Sequence, residues 1–214
     1  IATASGYKVG AFTSPHFIRY NERIRIAGQE VTDQLLIEAF EAIEQVRVEI
    51  PLTYFEFGML TALWVFARAE LDVAILEVGL GGRLDAVNLV DATVAVITSV
   101  DLDHQDWLGD TIAAIATEKA GVMRTGRPVV FGEREPHAVL LARAAALGAP
   151  IWQKGRDYDF SDSDAAGQWR WQTGQTCYEG LPLPRVVCDN AATAIAALHA
   201  LADVTELRVS AVAL

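Results

Sequence analysis

The stretch Leu71-Asp-Val-Ala-Ile-Leu-Glu-Val-Gly-Leu-Gly-Gly-Arg-Leu-Asp-Ala-Val-Asn88 decides how the rest of the chain is read. Val73 to Val78 is predicted to be a strand. Its apolar run Val73–Leu76 gives way to Glu77 and then to the turn Gly79-Leu-Gly-Gly82-Arg83-Leu-Asp85. A strand apolar on both faces belongs inside a parallel sheet covered on two sides. The same texture recurs at Tyr7–Phe12, Thr93–Val100, Pro128–Phe131 and Ile151–Gln153. Helical patterns separate these runs at Thr32–Val46, Phe55–Ala69, Thr111–Met123 and His137–Ala146. In the first of them Leu35, Leu36, Ala39, Phe40 and Ile43 repeat at the helical period. Alternation of this kind predicts an α/β fold: a three-layer, mostly parallel sheet.

The texture changes after Lys154. Tyr158–Phe160, Gln168–Gln172 and Thr176–Glu179 alternate polar and apolar residues, with Gly167 and Gly174 at the turns. A small antiparallel ribbon is expected within residues 155–182, followed by an alanine-rich helix over Asn190–Leu201. Ile1–Gly6 reads as the tail of a helix closed by a glycine, and Ser210–Leu214 stops without punctuation. Residues 1–214 are therefore expected to be one domain, cut from a longer protein at both ends.

The 214 residues are 52% hydrophobic and 21% charged, a globular composition, with a formal net charge of -11. That balance argues against a partner that is nucleic acid or an anionic membrane. No apolar run approaches the length of a membrane span. Cys177 and Cys188 have neither zinc-site nor disulfide-framework spacing, which fits a reducing cytoplasm.

Ligands of open parallel sheets bind beyond the carboxyl ends of the strands. Tyr7–Phe12 is followed there by Thr13-Ser14-Pro15-His16, Val73–Leu76 by Glu77, and Thr93–Val100 by Asp101, Asp103, His104 and Asp106. Hydroxyl, carboxylate and imidazole donors on one edge suit Mg²⁺ beside phosphates. Each also has a plain structural reading: a turn at Ser14-Pro15, a solvated carboxylate at Glu77, a helix cap at Asp103-His104. Lys119 falls among Ile112, Ile115, Ala116 and Met123 on one helical stripe. Burial there would favour the neutral amine, which can form a carbamate with CO2; the alternative is a lysine reaching to the edge or pairing with an acid.

The blocks Gly6–Ile26 (GYKVGAFTSPHFIRYNERIRI), Leu52–Phe66, Leu71–Asn88, Thr98–Gly109 (TSVDLDHQDWLG), Glu118–Val122 and Leu181–Leu198 together closely resemble the dihydrofolate synthase/folylpolyglutamate synthase family, in the Mur-ligase superfamily. The resemblance implies the P-loop-like central ATPase domain of an ATP-dependent, amide-forming ligase. It implies dihydropteroate or folate, L-glutamate and ATP as partners, with two Mg²⁺ ions; a monomer is expected, although the sequence itself gives no oligomeric state. By the resemblance Ser14 and Glu77 hold one Mg²⁺, and His104 with a carbamylated Lys119 helps hold the second. Lys119, His104 and Glu77 are thereby the catalytic set. Thr53, Tyr54, Phe55 and Glu56, with Arg83, Leu84, Asp85 and Ala86, line the pterin region, and Asn190 faces the adenine. One departure is plain. The family's glycine-rich phosphate loop has no counterpart here, and none of the lysines Lys8, Lys119 and Lys154 lies in such a loop. The chain by itself is expected to be inactive.

Three rival readings remain. A cell-wall Mur peptide ligase shares the fold and the metals, but Thr53–Phe57 and Gly79–Ala86 favour folate. A nicotinamide-binding domain built on Gly79-x-Gly81 fails because Leu84 stands where the third glycine belongs. A non-catalytic binding module is the third.

Overall fold

The computed structural model describes residues 1–161 and 167–208. They form an α/β fold of two compact units, residues 1–80 with 85–89 and residues 81–84 with the described part of 90–214.

In the first unit the helical turn at the start closes on Gly6, which takes φ +93°. The sheet has the order β3-β2-β1-β4: β1 (Val9–Phe12), β2 (Ile24–Ile26), β3 (Gln29–Glu30) and β4 (Val73–Leu76). β1 and β4 are parallel, with Val9 opposite Val73 and Phe12 opposite Leu76. β2 and β3 are antiparallel additions that the sequence reading passed over. Their signal was Ala27-Gly28, both at positive φ (50° and 80°), a two-residue hairpin turn between strands too short to show alternation.

Helices α1 (Asp33–Arg47) and α2 (Tyr54–Phe66) supply Leu36, Ala39, Met59, Ala62, Val65 and Phe66 to a core shared with Phe12 and Ile24. Thr32 caps α1 by accepting the Leu35 N–H. β4 departs from its expected burial on both faces. Ile75 is 50% exposed, because the core of this unit lies on the face that carries Leu76; Ala74 is exposed as well.

In the second unit β5 (Ala95–Ile97), β6 (Val129–Phe131) and β7 (Ile151–Gln153) form a parallel sheet in the order β5-β6-β7. Every residue of β6 is buried, as its unbroken apolar run requires. Val129 and Phe131 face a core built with Ala116 and Ala120 of α4 (Ile112–Ala120) and Leu140 and Ala144 of α5 (Ala138–Ala146). Val130 faces the opposite core, which holds Trp169, Trp171 and the small residues Ala192, Ala196 and Ala200 of α6 (Cys188–Val204). The three layers expected from the sequence are thus present within this unit. The small antiparallel sheet is also present, in the order β10-β9-β8, from β8 (Tyr158–Ser161), β9 (Gln168–Thr173) and β10 (Cys177–Pro182). A four-residue helix, α3 (Gln105–Leu108), completes the elements. Among the described residues no helix is long and apolar enough to cross a membrane.

The ribbon is fastened to α6 by aromatic groups. Trp171 donates its indole N–H to the Ala192 carbonyl at 3.0 Å. Tyr158 donates to the Phe131 carbonyl at 3.0 Å, and burial pushes its phenol up to about 12, so it remains a donor. His199 of α6 stacks on Trp171, centroids 4.8 Å apart and 21° from parallel, with Nε2 3.2 Å from the Tyr178 hydroxyl. Burial, opposed by Asp203, lowers its pKa below the ordinary 6.5. The unfolded chain therefore takes up a proton at this site before the folded one does, and stability rises with pH across that interval. The contribution is complete above the unfolded value and is lost as pH falls toward the folded value. Urea unfolding followed at about pH 5 and about pH 7.5 should give a higher midpoint at the higher pH, and His199→Phe should remove part of that difference.

Candidate active site

Two residues past β1, the Ser14 N–H donates to Glu77 Oε2 at 2.7 Å. Glu77 directly follows β4, and its own N–H extends the ladder by donating to the Phe12 carbonyl at 2.9 Å. Parallel pairing therefore delivers a serine and a glutamate together to the carboxyl edge of β1 and β4. Ser14 also precedes a cis peptide bond to Pro15. An exposed carboxylate beside a serine is an oxygen-donor set suited to Mg²⁺, which takes few protein ligands and completes its shell with water and phosphate. Among the described residues no three His, Cys, Asp or Glu side chains cluster to hold a metal by themselves.

The next loop, Phe17 to Arg19, is tied to Glu22. The Glu22 carboxylate accepts the N–H of Phe17, Ile18 and Arg19 at 3.0, 2.8 and 2.6 Å. Those backbone bonds lower its pKa to about 2. The ionised form accepts these bonds more strongly than the neutral acid, so this support is present above the ordinary 4.5 and is lost as pH falls toward about 2.

The residues expected to line a pterin site take unequal roles. Thr53 and Glu56 form a capping box at the start of α2: Thr53 Oγ1 accepts the Glu56 N–H at 3.2 Å and Glu56 Oε2 accepts the Thr53 N–H at 2.7 Å. The backbone and side chain of Thr53 hold Glu56 below its ordinary pKa. Phe55 lies under the glycine loop, where a Cβ on Gly79 would come within 2.7 Å of its ring. Tyr54 is largely exposed. Asp85 organises the loop, accepting the N–H of Gly79, Leu80 and Val87 at 3.1, 3.0 and 2.9 Å, and Ala86 opens the 3-10 turn Ala86–Leu89.

In the second unit Arg83 donates Nε and Nη2 to Glu118 at 3.0 and 2.9 Å, and its N–H goes to the Glu118 carbonyl at 2.9 Å. Leu84 is exposed. The glycines here serve close packing. A Cβ on Gly82 would meet the Glu118 carbonyl at 2.8 Å, and one on Gly121 would meet the Arg83 Cα at 2.5 Å. The Gly79–Gly82 turn is thus seated against protein backbone and side chains.

Lys119 is only partly buried, a correction to the enclosed position expected from its stripe. Ile115, Ala116 and Ala120 are the buried residues of α4, and Lys119 sits at the margin of that face. His104 is exposed, takes φ +50°, and receives the N–H groups of Trp107 and Leu108 on its carbonyl. A left-handed backbone at a non-glycine residue is sparsely populated and recurs at functional sites. Its N–H reaches Asp103 Oδ1 at 2.8 Å.

Asn190 is exposed on the first turn of α6, next to Asp189, which forms an ion pair with the buried Lys154. The sequence reading missed Lys154. Its signal was a lysine directly after the apolar strand Ile151–Gln153, but only the fold brings Asp189 to it. The structure thus joins Ser14 with Glu77 in the first unit, and Arg83 with the helix bearing Lys119 in the second.

The α/β architecture, with a parallel sheet and a small antiparallel one, is that of the Mur-ligase fold class. The chain belongs to the dihydrofolate synthase/folylpolyglutamate synthase family. It is 49% identical over 200 residues to the dihydrofolate synthase/folylpolyglutamate synthase of Escherichia coli K12, covering 94% of this chain and 47% of that one. It aligns with the structure of E. coli FolC in complex with DHPP and ADP at a TM-score of 0.91 and 48% identity, over 98% of this chain and 49% of the other. It aligns with the Yersinia pestis bifunctional enzyme complexed with AMPPNP and a Mn ion at 0.89 and 50% identity, over 98% and 50%. The chain spans about half the length of the curated relatives it matches. No family model matches it.

Substitutions at three glycines and one aspartate measure these packing and hydrogen-bond contributions. Gly82→Ala and Gly121→Ala should each destabilise the chain by about 1–3 kcal/mol, since the added methyl meets backbone that cannot swing aside. Gly126→Ala, with open space around its Cβ but φ +66°, should cost about 1 kcal/mol through strain alone. Asp85→Ala should cost about 1–3 kcal/mol by leaving three N–H groups without their acceptor. Thermal unfolding of the four variants checks the order.

Proposed function

We propose that the protein to which this chain belongs is an ATP-dependent ligase. It joins L-glutamate to dihydropteroate, and to tetrahydrofolate and its polyglutamates, through an acyl phosphate. The observation that carries this reading is the Ser14–Glu77 pair at the carboxyl edge, 2.7 Å from backbone nitrogen to carboxylate. Support comes from relatives whose structures hold ADP with DHPP, or AMPPNP with manganese. The folate name of those relatives favours this reading over a cell-wall peptide ligase. We read residues 1–214 as the central ATPase-type domain, with residues 155–182 as its antiparallel appendage. The enzyme would act as a cytoplasmic monomer, without nucleic acid or membrane as partner.

Ser14 and Glu77 would hold one Mg²⁺; His104 and Lys119, as its carbamate, would help hold the other. Bound there, the ions would neutralise the repulsion between a carboxylate and the ATP phosphates. The chain's own residues have the task of orientation. Glu77 is fixed at the strand end by its N–H to Phe12, and Ser14 is fixed by Glu77. Thr53, Tyr54, Phe55 and Glu56, and Arg83, Leu84, Asp85 and Ala86, would contact the pterin. Asn190 would meet the adenine. The substrate carboxylate attacks the γ-phosphate of ATP, ADP leaves, and the glutamate amine then displaces phosphate from the acyl carbon.

The test is ATP-dependent incorporation of labelled glutamate by the intact protein, with dihydropteroate set against a UDP-muramoyl acceptor. Activity only with the second would overturn the folate reading. Glu77→Ala should lower kcat by about 100-fold or more. Lys119→Arg should abolish most activity, because a guanidinium forms no carbamate, while Lys119→Ala should be partly restored by acetate. Full activity of the arginine variant would remove the carbamate from the account. The chain by itself should show no turnover.

A further inference from the structure

Arg23 is 9% exposed, and among the described residues no carboxylate lies within ion-pair distance of it. A buried cation without a counter-ion is costly, and proteins seldom keep one without a use for it. What holds it is neutral. Its Nε donates to His16 Nδ1 at 2.7 Å. Its guanidinium carbon lies 5.3 Å from the Tyr54 ring centroid and 5.9 Å from that of Tyr20. The rings of His16 and Tyr20 are 5.8 Å apart, as are those of Tyr20 and Tyr54.

Two consequences follow. An arginine Nε–H only donates, so His16 Nδ1 is the bare, accepting nitrogen and a ring proton sits on Nε2. The same hydrogen bond fixes the plane of the guanidinium. The two Nη groups carry four of its five N–H donors and receive no acceptor from the described residues. Since among the described residues no fully buried polar side-chain atom lacks a partner, they open onto the surface. Tyr54 beside them is 62% exposed. On the loop that carries His16, Phe17 and Ile18 stand 89% and 88% exposed over a backbone pinned by Glu22.

We propose that Arg23 is the anchor of a carboxylate-binding subsite in the first unit, with His16 as its positioning residue, and that it takes an aromatic carboxylate. The Nη edge chelates the two oxygens and the ring lies against Tyr54. A planar fork set between aromatic faces suits that chemistry better than a lysine would. The natural ligand rests on the folate reading, because pteroate is an aromatic carboxylate; the subsite itself does not.

The test uses the full 214-residue chain with labelled arginine side chains, titrated in turn with p-aminobenzoate, p-aminobenzamide and dihydropteroate. p-Aminobenzoate should shift the Arg23 resonances, and the amide should bind about tenfold more weakly or less well still. Arg23→Lys keeps the charge but loses the fork, and should weaken the carboxylate about tenfold while leaving the amide unchanged. Should that variant not fold, His16→Phe serves: it should speed exchange of the Arg23 Nε–H and weaken the carboxylate selectively. Equal binding of carboxylate and amide, or no shift at Arg23 with any of the three, overturns the proposal. Dihydropteroate binding with Arg23 silent would overturn the subsite and leave the folate reading standing. p-Aminobenzoate binding at Arg23 with dihydropteroate rejected would uphold the subsite and count against the folate reading.

Discussion

The first unit depends on the parallel pairing of Val9–Phe12 with Val73–Leu76, and on the way Glu77 closes it. The Glu77 N–H adds one more rung by donating to Phe12, and its carboxylate turns back to accept the Ser14 N–H at 2.7 Å. A parallel ladder puts both strand ends at the same edge, so a hydroxyl and a carboxylate from residues 63 positions apart arrive together. A one-residue slip would send the side chains of β4 to the opposite face and withdraw Glu77 from Ser14. The core beneath opposes such a slip, because Phe12 and Ile24 are wholly buried against α1 and α2.

Around that edge the protein holds its loops with carboxylates acting on backbone N–H groups. Glu22 gathers Phe17, Ile18 and Arg19; Asp85 gathers Gly79, Leu80 and Val87; Glu56 caps Thr53. Charge-assisted bonds of this kind are among the stronger ones available to a loop. They explain part of the acidic balance of the chain: several of its carboxylates are spent on loop geometry. Arg23 is the contrasting case, a cation kept in place by an imidazole and two phenol rings.

Much of this was legible in the sequence where one residue's neighbours along the chain decide its role. The unbroken apolar run at Val129–Phe131 announced a strand buried on both faces, and the helical period of Leu35, Leu36, Ala39, Phe40 and Ile43 announced α1. The run at Val73–Leu76 looked the same and was not the same: Ile75 is half exposed, because the core of its unit lies on one face of the sheet only. The stripe through Lys119 indicated an apolar face, but position on a stripe does not say how far a neighbouring element reaches over it, and Lys119 is left at the margin. Glycine spacing at Gly79–Gly82 indicated a turn, but not the close neighbours that exclude a Cβ there, the Phe55 ring at Gly79 and the Glu118 carbonyl at Gly82. His16 with Arg23, and Lys154 with Asp189, were invisible because their meaning lies in partners that only the fold supplies.

Ser14 and Glu77 are proposed to form a divalent-cation site used with nucleotide. Electron paramagnetic resonance of Mn²⁺ titrated into the intact protein with AMPPNP tests it most directly. Wild type should bind the ion, Glu77→Ala should weaken it by about tenfold or more, and Glu22→Ala, on the neighbouring loop, should leave it unchanged. Equal Mn²⁺ affinity in wild type and Glu77→Ala would contradict the account.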